Sequence, residues 1–431
     1  MRTDSPSILQ GRRLLVAVSG SIAAVKAPLL VSALVKAGAQ VRCLVTPSAE
    51  HLVSPVALAS LSRHRCYRDQ DQWDPSFSRP LHIELAEWAE LVLLAPLSAT
   101  TLGRWAHGLA DGLLAGVLLA CECPVLAAAA MNTAMWRHPA VQSNWGIVQG
   151  FPGVLPLAPS PGLLACDRIG DGRMVAPALI ELAAEAVFSR KAQGPDASQD
   201  WSGRRLLVSA GPTVEAIDPA RALTNFSSGK MGVLLAQAAR LRGAQVDLVH
   251  GPLQLPDAWL EGLNCVSITT SAELDRALKE RQPHADAIAM VAAVADLRRR
   301  DGGQIGKPSK SDLPNLLASG WEAVPDLLSN LAGRRHGQQR LLGFTALTGS
   351  DQELLDGGES KRVSKGCDLM MVNPIDRDGQ GFGQDCNGGW LLSEGGHETV
   401  PVMPKLAVAQ RLLDALLGSI TTAQAATCDE S

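Results

Sequence analysis

A turn near the N-terminus carries the residue types that bind phosphate. The stretch SGSIAA at 19–24 separates an apolar run from a helical segment. Small residues in such a turn let backbone N–H groups approach an anion, and the dipole of the following helix favours negative charge. Gly20, Ser21 and Ile22 are therefore candidate phosphate ligands. The turn lacks the G-x-G-x-x-G spacing of dinucleotide sites, so it favours a mononucleotide, although a tight structural turn explains the same residues.

Hydroxyl groups follow two further apolar runs. Thr46 comes after the run that ends at residue 45, and Ser98 and Thr101 come after LVLLAP at 91–96. In a doubly wound parallel sheet, ligands bind beyond the carboxyl ends of the strands. We therefore expect these hydroxyls to lie beside the same ligand as the first turn.

A second candidate phosphate site lies in the other half of the chain. SSGKMG at 227–232 begins a helical segment and places Ser228, Gly229 and Lys230 at its N-terminus. Successive small-residue N–H groups with a lysine form a plausible phosphate cradle. The spacing is not that of a P-loop, which argues against a Walker-type nucleotidase.

The side chains that could move protons or pair with phosphates are ambiguous by themselves. His82 lies in the helical pattern LHIELAEWAE, and Cys166 is one of nine cysteines. Imidazole titrates near neutral pH, yet a lone histidine on a helix is more often a surface or core residue. Lys361 and Lys365 have i, i+4 spacing, which is also typical of a solvated helix face.

An internal repeat indicates the elements that must position these residues. GRRLLVAVSG begins at Gly11 and GRRLLVSAG at Gly203, and each is followed by an amphipathic segment, a Gly-Ala turn and a second apolar run. This is the pattern of a β-α-β unit at the head of a parallel sheet. The continuous apolar runs 91–96, 124–131, 286–296 and 368–374 predict further strands buried on both faces.

The fold class predicted is α/β, with two doubly wound Rossmann-like domains. The N-terminal domain is expected at 1–189 and the C-terminal domain at 204–418. The polar, small-residue stretch 190–203 suits a linker, and 419–431 is expected to be a disordered tail.

Composition limits the class of protein. The formal net charge is −4 for 431 residues, so no affinity for nucleic acid is expected. The N-terminus lacks the apolar core of a signal peptide, and no apolar stretch approaches a membrane span. The nine cysteines are scattered without a C-x-x-C pair, which indicates reduced thiols and a cytoplasmic protein. Most of these cysteines are expected to be small core residues.

The first half resembles the flavin-dependent cysteine decarboxylases, which act on phosphopantothenoylcysteine and on peptide C-terminal cysteines. The resemblance spans about 12–180 and rests on M-N-x-x-M-W at 131–136 and on G-x-x-x-C-x-x-x-G-x-G-R-M at 162–174. It implies FMN as cofactor, held by Gly20, Ser21, Ile22, Thr46, Ser98 and Thr101.

The same resemblance implies the catalytic residues. His82 is the active-site histidine, Asn132 binds the substrate carboxylate, and Cys166 donates a proton from a mobile flap. The residue types suit the reaction, because loss of CO2 from an unactivated carboxylate needs an electron sink, which flavin oxidation of the thiol provides, and groups that move protons.

The second half resembles the phosphopantothenate–cysteine ligases over about 204–415. The pattern A-G-P-T-x-E-x-I-D-P-x-R-x-x-T-N-x-S-S-G-K-M-G carries the match, which continues through AAVAD at 292–296 and GFGQDCN at 381–387. That family uses a nucleoside triphosphate, CTP in most bacteria, to make an acyl-nucleotide that the amine of cysteine attacks. Lysines that neutralise the triphosphate and a Mg2+ ion are expected.

Carried over by motif, Asn225 holds the acyl-nucleotide and Lys307 assists the conversion. Asp296 contacts the nucleotide or its metal. The remaining substrate and CTP contacts implied are Ser228, Gly229, Lys230, Ala292, Pro325, Asp326, Leu327, Leu328, Phe344, Lys361 and Lys365.

Three departures from the family pattern bear on these assignments. Where the family has a basic run, this chain has Gln-Ile-Gly-Lys at 304–307. Lys310 is therefore an alternative to Lys307. Leu347 replaces an acidic residue, which bears on nucleotide preference. In the first half, Ala129 stands where relatives have proline.

The function predicted is bifunctional: CTP-dependent joining of 4′-phosphopantothenate to cysteine, followed by FMN-dependent decarboxylation to 4′-phosphopantetheine. The resemblance implies a homo-oligomer of decarboxylase trimers linked by ligase dimers, with FMN at subunit borders. An NAD(P)-linked oxidoreductase would need G-x-G-x-x-G and an acidic residue after the second strand. A flavin-binding regulatory protein would have no need of His82, Asn132 and Cys166.

Overall fold

The computed structural model describes residues 7–165, 167–190, 196–303, 306 and 309–429, with side chains described as far as residue 421. The described chain divides into two compact units. The N-terminal unit falls within Pro6–Ser198 and also includes Asp257–Gly262, whereas the C-terminal unit falls within Gln199–Pro256 and Leu263–Ser431.

The N-terminal unit is a parallel sheet with helices between its strands, which confirms the predicted fold class. Its elements are β1 (Arg13–Val18), α1 (Ala27–Lys36), β2 (Gln40–Val45), α2 (Pro47–Glu50), α3 (Pro55–Ser62), β3 (Cys66–Arg68), α4 (Leu81–Trp88), β4 (Leu91–Leu97), α5 (Ala99–Ala106), α6 (Leu113–Ala120), β5 (Val125–Ala129), α7 (Thr133–Trp136), α8 (Pro139–Gln149), β6 (Val154–Leu157), β7 (Ser160–Leu163), β8 (Ile169–Arg173) and α9 (Pro177–Ser189). The six-stranded sheet has the order β3-β2-β1-β4-β5-β6, and all its pairs are parallel.

The order of this sheet explains where a ligand can bind. Strand β1 pairs with β2 on one side and with β4 on the other, so the chain reverses its direction of winding beside β1. The loops after β1 and β4 therefore separate and leave a crevice at the carboxyl edge. Every residue of β4 is buried, as expected for a strand covered by helices on both faces.

The C-terminal unit repeats this plan with a larger sheet. Its elements are β9 (Arg205–Ala210), β10 (Val214–Asp218), β11 (Arg221–Thr224), α10 (Lys230–Leu241), β12 (Gln245–His250), β13 (Asn264–Ser267), α11 (Ser271–Arg281), β14 (Ala287–Met290), β15 (Leu297–Arg299), α12 (Leu313–Ala318), β16 (Trp321–Ala323), α13 (Leu327–Gly333), β17 (Arg340–Leu347), α14 (Asp351–Lys365), β18 (Leu369–Pro374), β19 (Cys386–Ser393), β20 (Gly396–Pro404) and α15 (Lys405–Asp429). The sheet order is β13-β12-β9-β14-β17-β18-β19-β20, with β19 and β20 antiparallel to their neighbours.

The structure differs from the sequence prediction in three segments. Only the first part of the run 286–296 is a strand, since β14 ends at Met290 and the rest forms the loop beyond it. Residues 419–429 continue helix α15, because the apolar spacing that buries Leu416 also buries Ile420. Within the stretch expected to be a linker, Trp201 is fully buried and its segment belongs to the C-terminal unit. Residues 191–195 and 430–431 lie outside the described part.

A segment from the C-terminal half of the sequence completes the N-terminal unit. Glu261 accepts hydrogen bonds from Ser160 Oγ (2.9 Å), from an Arg173 guanidinium nitrogen (2.8 Å) and from the Ala176 backbone N–H (3.0 Å). Ser160 and Arg173 are paired residues at the base of the β7–β8 hairpin. The carboxylate of Glu261 thus closes the base of this hairpin.

None of the helices within the described residues combines the length and apolar character that a bilayer span requires.

Candidate active sites

The N-terminal unit has a cavity of about 450 Å³ at the carboxyl edge of its sheet. Its walls come from the turn after β1, the start of α5, the end of β5 and the β7–β8 hairpin. Among the residues predicted to bind the cofactor or substrate, it brings together Gly20, Ser21, Ile22, Ser98 and Asn132. A cavity of this size at a switch point is typical of a small-molecule or cofactor site.

A buried serine holds two walls of the cavity together. Ser19 is fully buried; its hydroxyl donates to the Pro96 carbonyl (2.7 Å) and accepts from the Ser98 backbone N–H (2.8 Å). These two bonds join the turn after β1 to the turn after β4. Ser98 in turn caps α5 by accepting from the Thr101 N–H (3.3 Å).

Two predicted cofactor residues have a different place in the structure. Thr46 caps α2 by accepting from the Ala49 N–H, and Thr101 hydrogen-bonds Ser98. Among the described residues, neither lines the cavity, whereas Thr100 does. The helix α2 still shapes the site, because a Cβ on Gly20 would lie 2.4 Å from Ser48 Cβ. Glycine is therefore required for this close approach.

Two cationic side chains that were not predicted from the sequence line the cavity. Lys26 closes the short 3-10 helix after the first turn, and Arg173 lies at the end of β8. Burial and, to a lesser extent, the charge of Arg173 lower the pKa of Lys26, while Glu261 opposes this change. The mouth of the cavity therefore has a positive field suited to a phosphate or carboxylate.

The three predicted catalytic residues of this half are not all in the cavity of one chain. Asn132 lines it, and its Oδ1 accepts from the Ala134 N–H (2.8 Å) as the N-cap of α7. His82 lies on α4 against α6, where a Cβ on Gly116 would be 3.2 Å from His82 Cβ. His82 is not among the described residues that line the cavity. Cys166 lies outside the described residues; in the sequence it stands between β7 and β8.

The C-terminal unit has two neighbouring pockets that share a wall. One, of about 140 Å³, is built around the start of α10, and the other, of about 310 Å³, around the start of α13. Ala292, Phe344 and Thr345 line both. Ser228, Gly229 and Lys230 line the first pocket, which we call the cradle pocket. Its neighbour, which we call the lysine pocket, is lined by Asp296, Pro325, Asp326, Leu327, Leu328, Lys361 and Lys365.

The start of α10 is shaped for an anion. Gly229 has a φ of +79° as the N-cap, and a Cβ there would lie 2.2 Å from Leu253 Cδ2. Only glycine meets both conditions without strain. The next residue, Lys230, forms an ion pair with Asp385 (2.5 Å), so its ammonium is held at the pocket.

A buried lysine and two amide side chains complete the cradle pocket. Lys405 donates to the Gly381 carbonyl (3.1 Å), and burial followed by the charge of Lys230 lowers its pKa to about 8. Asn373 and Asn387 also line the pocket, and within the described structure their Oδ1 atoms are buried without a hydrogen-bond partner. Such acceptors are costly unless a ligand supplies a donor.

In the lysine pocket, each predicted lysine has a specific partner. Lys361 Nζ donates to Thr345 Oγ1 (3.0 Å), and Lys365 pairs with Asp326. Burial alone would raise the pKa of Asp326, but hydrogen bonds from Lys365 and Ser329 lower it below its usual value. The i, i+4 lysines of α14 therefore point along one wall, where they can bind the phosphates of a nucleotide.

The loop after β14 is fixed by two polar side chains. Asn225 Nδ2 donates to the carbonyls of Ala293 (3.1 Å) and Val294 (3.2 Å). The buried Ser209 hydroxyl accepts from the N–H groups of Val291 (3.0 Å) and Ala292 (3.1 Å). These bonds determine where the loop places its residues, Ala292 and Asp296 among them.

The remaining predicted residues have simple placements. Asp296 is exposed in the lysine pocket, and among described residues no group of three or more His, Cys, Asp or Glu side chains could hold a metal alone. Lys307 lies outside the described residues, and Lys310 is exposed. Leu347 packs against the core of this unit, where a Cβ on Gly357 would be 3.4 Å from its Cδ1.

Both units match known protein families. The flavoprotein family matches residues 2–184, and the DNA/pantothenate metabolism flavoprotein C-terminal domain matches residues 201–419. The coenzyme A biosynthesis bifunctional protein CoaBC of Bacillus subtilis (strain 168) is 36% identical over 419 residues, which cover 94% of this chain and 97% of that relative. The chain belongs to this family.

Similarity to the CoaBC proteins extends to other bacteria. The CoaBC protein of Escherichia coli (strain K12) is 33% identical over 410 residues, with 95% of this chain and 97% of that relative covered. A solved PPC decarboxylase mutant, complexed with pantothenoylaminoethenethiol, is 36% identical and covers 40% of this chain and 94% of its own, with a TM-score of 0.37. The CoaBC matches, which cover 94% and 95% of this chain, include both units described above.

Some pocket residues of this CoaBC family member were missed from the sequence. Arg173 and Asn387 stand inside motifs that were recognised, but no role was given to them. Ser19 and Ser209 are buried serines at strand ends, and this position is the signal that could have found them. Lys405 had no signal in its local sequence, since its burial depends on elements distant in the chain.

Proposed function

We propose that the chain catalyses two consecutive steps of coenzyme A synthesis, as the name of its relatives indicates. The C-terminal unit joins 4′-phosphopantothenate to cysteine at the expense of CTP. The N-terminal unit then decarboxylates phosphopantothenoylcysteine to 4′-phosphopantetheine. The observation that carries the proposal is the presence, in one chain, of a switch-point cavity and of paired anion pockets, each within a segment that matches its own family.

The residues of the N-terminal cavity suit FMN. Gly20 permits close approach of the backbone, Ser21 and Ser98 offer hydroxyls, and Lys26 and Arg173 supply positive charge for the phosphate. When bound, FMN supplies the two-electron oxidation and later reduction that make the substrate thiol an electron sink.

The protein's own groups bind the substrate and move protons. Asn132 stands at the end of β5, and we assign its amide nitrogen to the substrate carboxylate. Cys166, which stands between β7 and β8 in the sequence, is assigned as the proton donor; Glu261 holds the base of the hairpin that these two strands form. The carbon that loses CO2 needs a proton, which we assign to the Cys166 thiol, while FMN when bound would supply the final two-electron reduction.

His82 is proposed to act from a neighbouring copy of the chain. It lies on α4 away from the cavity of its own chain, while the cavity rim exposes large apolar side chains, including Ile22 (56% exposed) and Leu163 (66%). Exposed apolar groups at a cavity rim indicate an interface. A trimer with FMN at subunit borders would cover them and bring a histidine to each site.

The ligase reaction is assigned to the paired pockets. The phosphate of 4′-phosphopantothenate binds in the cradle pocket, and CTP binds in the lysine pocket with Lys361 and Lys365 on its phosphates. Because Ala292, Phe344 and Thr345 line both pockets, this assignment would bring the carboxylate beside the α-phosphate. A carboxylate oxygen attacks the α-phosphorus and pyrophosphate leaves; the amine of cysteine then attacks the acyl carbon and CMP leaves.

Mg2+ and a second copy complete the proposed ligase site. Asp296 offers one carboxylate, which suits Mg2+ because this ion is usually held by few protein ligands together with substrate phosphates. Lys307 is assigned to the developing negative charge. A dimer of this unit could cover the exposed ring of Phe226 (94%), which is next to Asn225 in the sequence.

A single assay tests both activities. The purified protein is incubated with 4′-phosphopantothenate, cysteine, CTP and Mg2+, and the products are identified by mass spectrometry. We expect 4′-phosphopantetheine. Accumulation of phosphopantothenoylcysteine would contradict the assignment of the N-terminal unit, and absence of any coupling would contradict that of the C-terminal unit.

A further inference from the structure

Two cysteines of the N-terminal unit lie together at a turn that the proposed function does not use. Cys121 follows the last residue of α6, and one residue, Pro124, separates Cys123 from β5. Cys121 has extended backbone angles (φ −79°, ψ 124°). In extended chain the side chains of residues i and i+2 point to the same side, so both thiols emerge together.

The two sulfur atoms are in contact. Cys121 Sγ lies 3.0 Å from Cys123 Sγ, and the Cys121 thiol also reaches the Cys123 carbonyl (3.3 Å). A disulfide bond is about 2.05 Å long, so the sulfurs need to approach by only about 1 Å. Both residues are half-buried and Glu122 between them is exposed, so this turn lies at the protein surface.

The contact divides the roles of the two thiols. The hydrogen bond from Cys123 lowers the pKa of Cys121, whereas the same bond and burial raise the pKa of Cys123. The thiolate is the nucleophile in thiol–disulfide exchange, and a neighbouring thiol resolves the mixed disulfide. Other cysteines differ, since burial raises the pKa of Cys66 and of Cys367 to about 12.

We propose that Cys121 and Cys123 form a thiol–disulfide exchange site that reacts with low-molecular-weight disulfides. The Cys121 thiolate attacks one sulfur of the small disulfide, forms a mixed disulfide and releases one small thiolate. Cys123 then loses its proton to solvent, and its sulfur attacks Cys121 Sγ and releases the second small thiolate. Two protein thiols are oxidised, and one small disulfide is reduced to two thiols.

The sequence allows a direct test on the full chain. Trypsin releases the peptide 105–137, which contains both cysteines and no other. The protein is treated with glutathione disulfide, free thiols are alkylated, and the peptide is weighed. We expect the wild-type peptide to lose two hydrogen atoms and to carry no glutathione.

Variants separate the nucleophile from the resolving thiol. Cys123→Ser should retain glutathione on Cys121, and Cys121→Ser should react more slowly than Cys123→Ser, because the thiolate is the nucleophile and Cys123 holds its proton more tightly. Alkylation rates of the two thiols in the reduced wild-type chain give the same comparison without a variant. A stable mixed disulfide on the wild type, or equal rates at both thiols, would overturn the proposal.

Discussion

Replacing Lys405 by methionine should make the C-terminal unit more stable and its cradle pocket weaker. The buried ammonium has a pKa of about 8 instead of the usual value of about 10.5. A pKa depressed by about 2.5 units corresponds to about 3 kcal/mol that the fold loses at neutral pH by keeping this charge buried. Methionine has a similar volume and carries no charge, so Lys405→Met removes that cost, less the hydrogen bond to Gly381, worth about 1–2 kcal/mol.

The pH dependence isolates this effect. Between about pH 8 and 10.5 the folded state binds fewer protons at Lys405 than the unfolded state, so the stability of the wild type rises with pH in that window. From pH 7 to 9.5 the wild type should gain about 2 kcal/mol relative to Lys405→Met. Urea unfolding at the two pH values, with pulsed hydrogen exchange to identify peptides of this unit, measures the difference. Lys279→Met, on the exposed side of α11, is the matched control.

The same variant tests the pocket. Loss of a charged contact to the phosphate should weaken 4′-phosphopantothenate binding by about 1.5–3 kcal/mol, about 10- to 150-fold, while FMN binding stays unchanged. A pH-independent stability difference would refute the buried-ammonium reasoning. Unchanged substrate affinity would instead refute the role of Lys405 in binding.

Three further substitutions test the remaining assignments. Ser19→Ala leaves the buried Ser98 N–H without its partner and should destabilise the site by about 1–3 kcal/mol. The loss should be measured as weaker FMN binding in a flavin fluorescence titration or as a lower midpoint of unfolding. No change in either measurement would show that the two turns stay in place without this hydroxyl. Cys166→Ser should keep flavin bound but lower formation of 4′-phosphopantetheine by about 10²–10⁴-fold and accumulate an oxidised, decarboxylated product, whereas normal turnover would exclude the thiol as proton donor. Lys307→Gln should reduce ligation by about 10²–10³-fold and spare decarboxylation; if Lys310→Gln has this effect instead, the motif register is wrong.

Local patterns carried most of the fold. The strand–turn–helix sequence at each unit's start is a short-range signal, so both first turns and the start of α10 were predicted at the positions that the structure shows. Thr46 and Thr101 show the limit of prediction from local patterns. A hydroxyl after a strand can face a ligand or cap the next helix, and both uses require the same residue type at the same position. Only the surrounding chain decides between them.

Residues brought together from distant parts of the sequence could not be predicted. Lys405 and Asn387 reach the cradle pocket because β19 and β20 add to the edge of a sheet whose first strand is β9. Similarly, the position of His82 on α4 could be predicted, but its distance from the cavity depends on how α4 packs against α6. Long-range packing is absent from any window of sequence.

The three hydrogen bonds that Glu261 accepts at the base of the β7–β8 hairpin affect how this chain can be cut into fragments or joined to parts of a relative. A fragment that ends near residue 198 contains Ser160, Arg173 and the Ala176 N–H but lacks the carboxylate that accepts their three hydrogen bonds. The N-terminal unit is therefore not one continuous stretch of sequence, because it includes residues 257–262. A chimera that joins the first half of this chain to the second half of a relative should keep these three hydrogen bonds only when the incoming half brings an acid at this position.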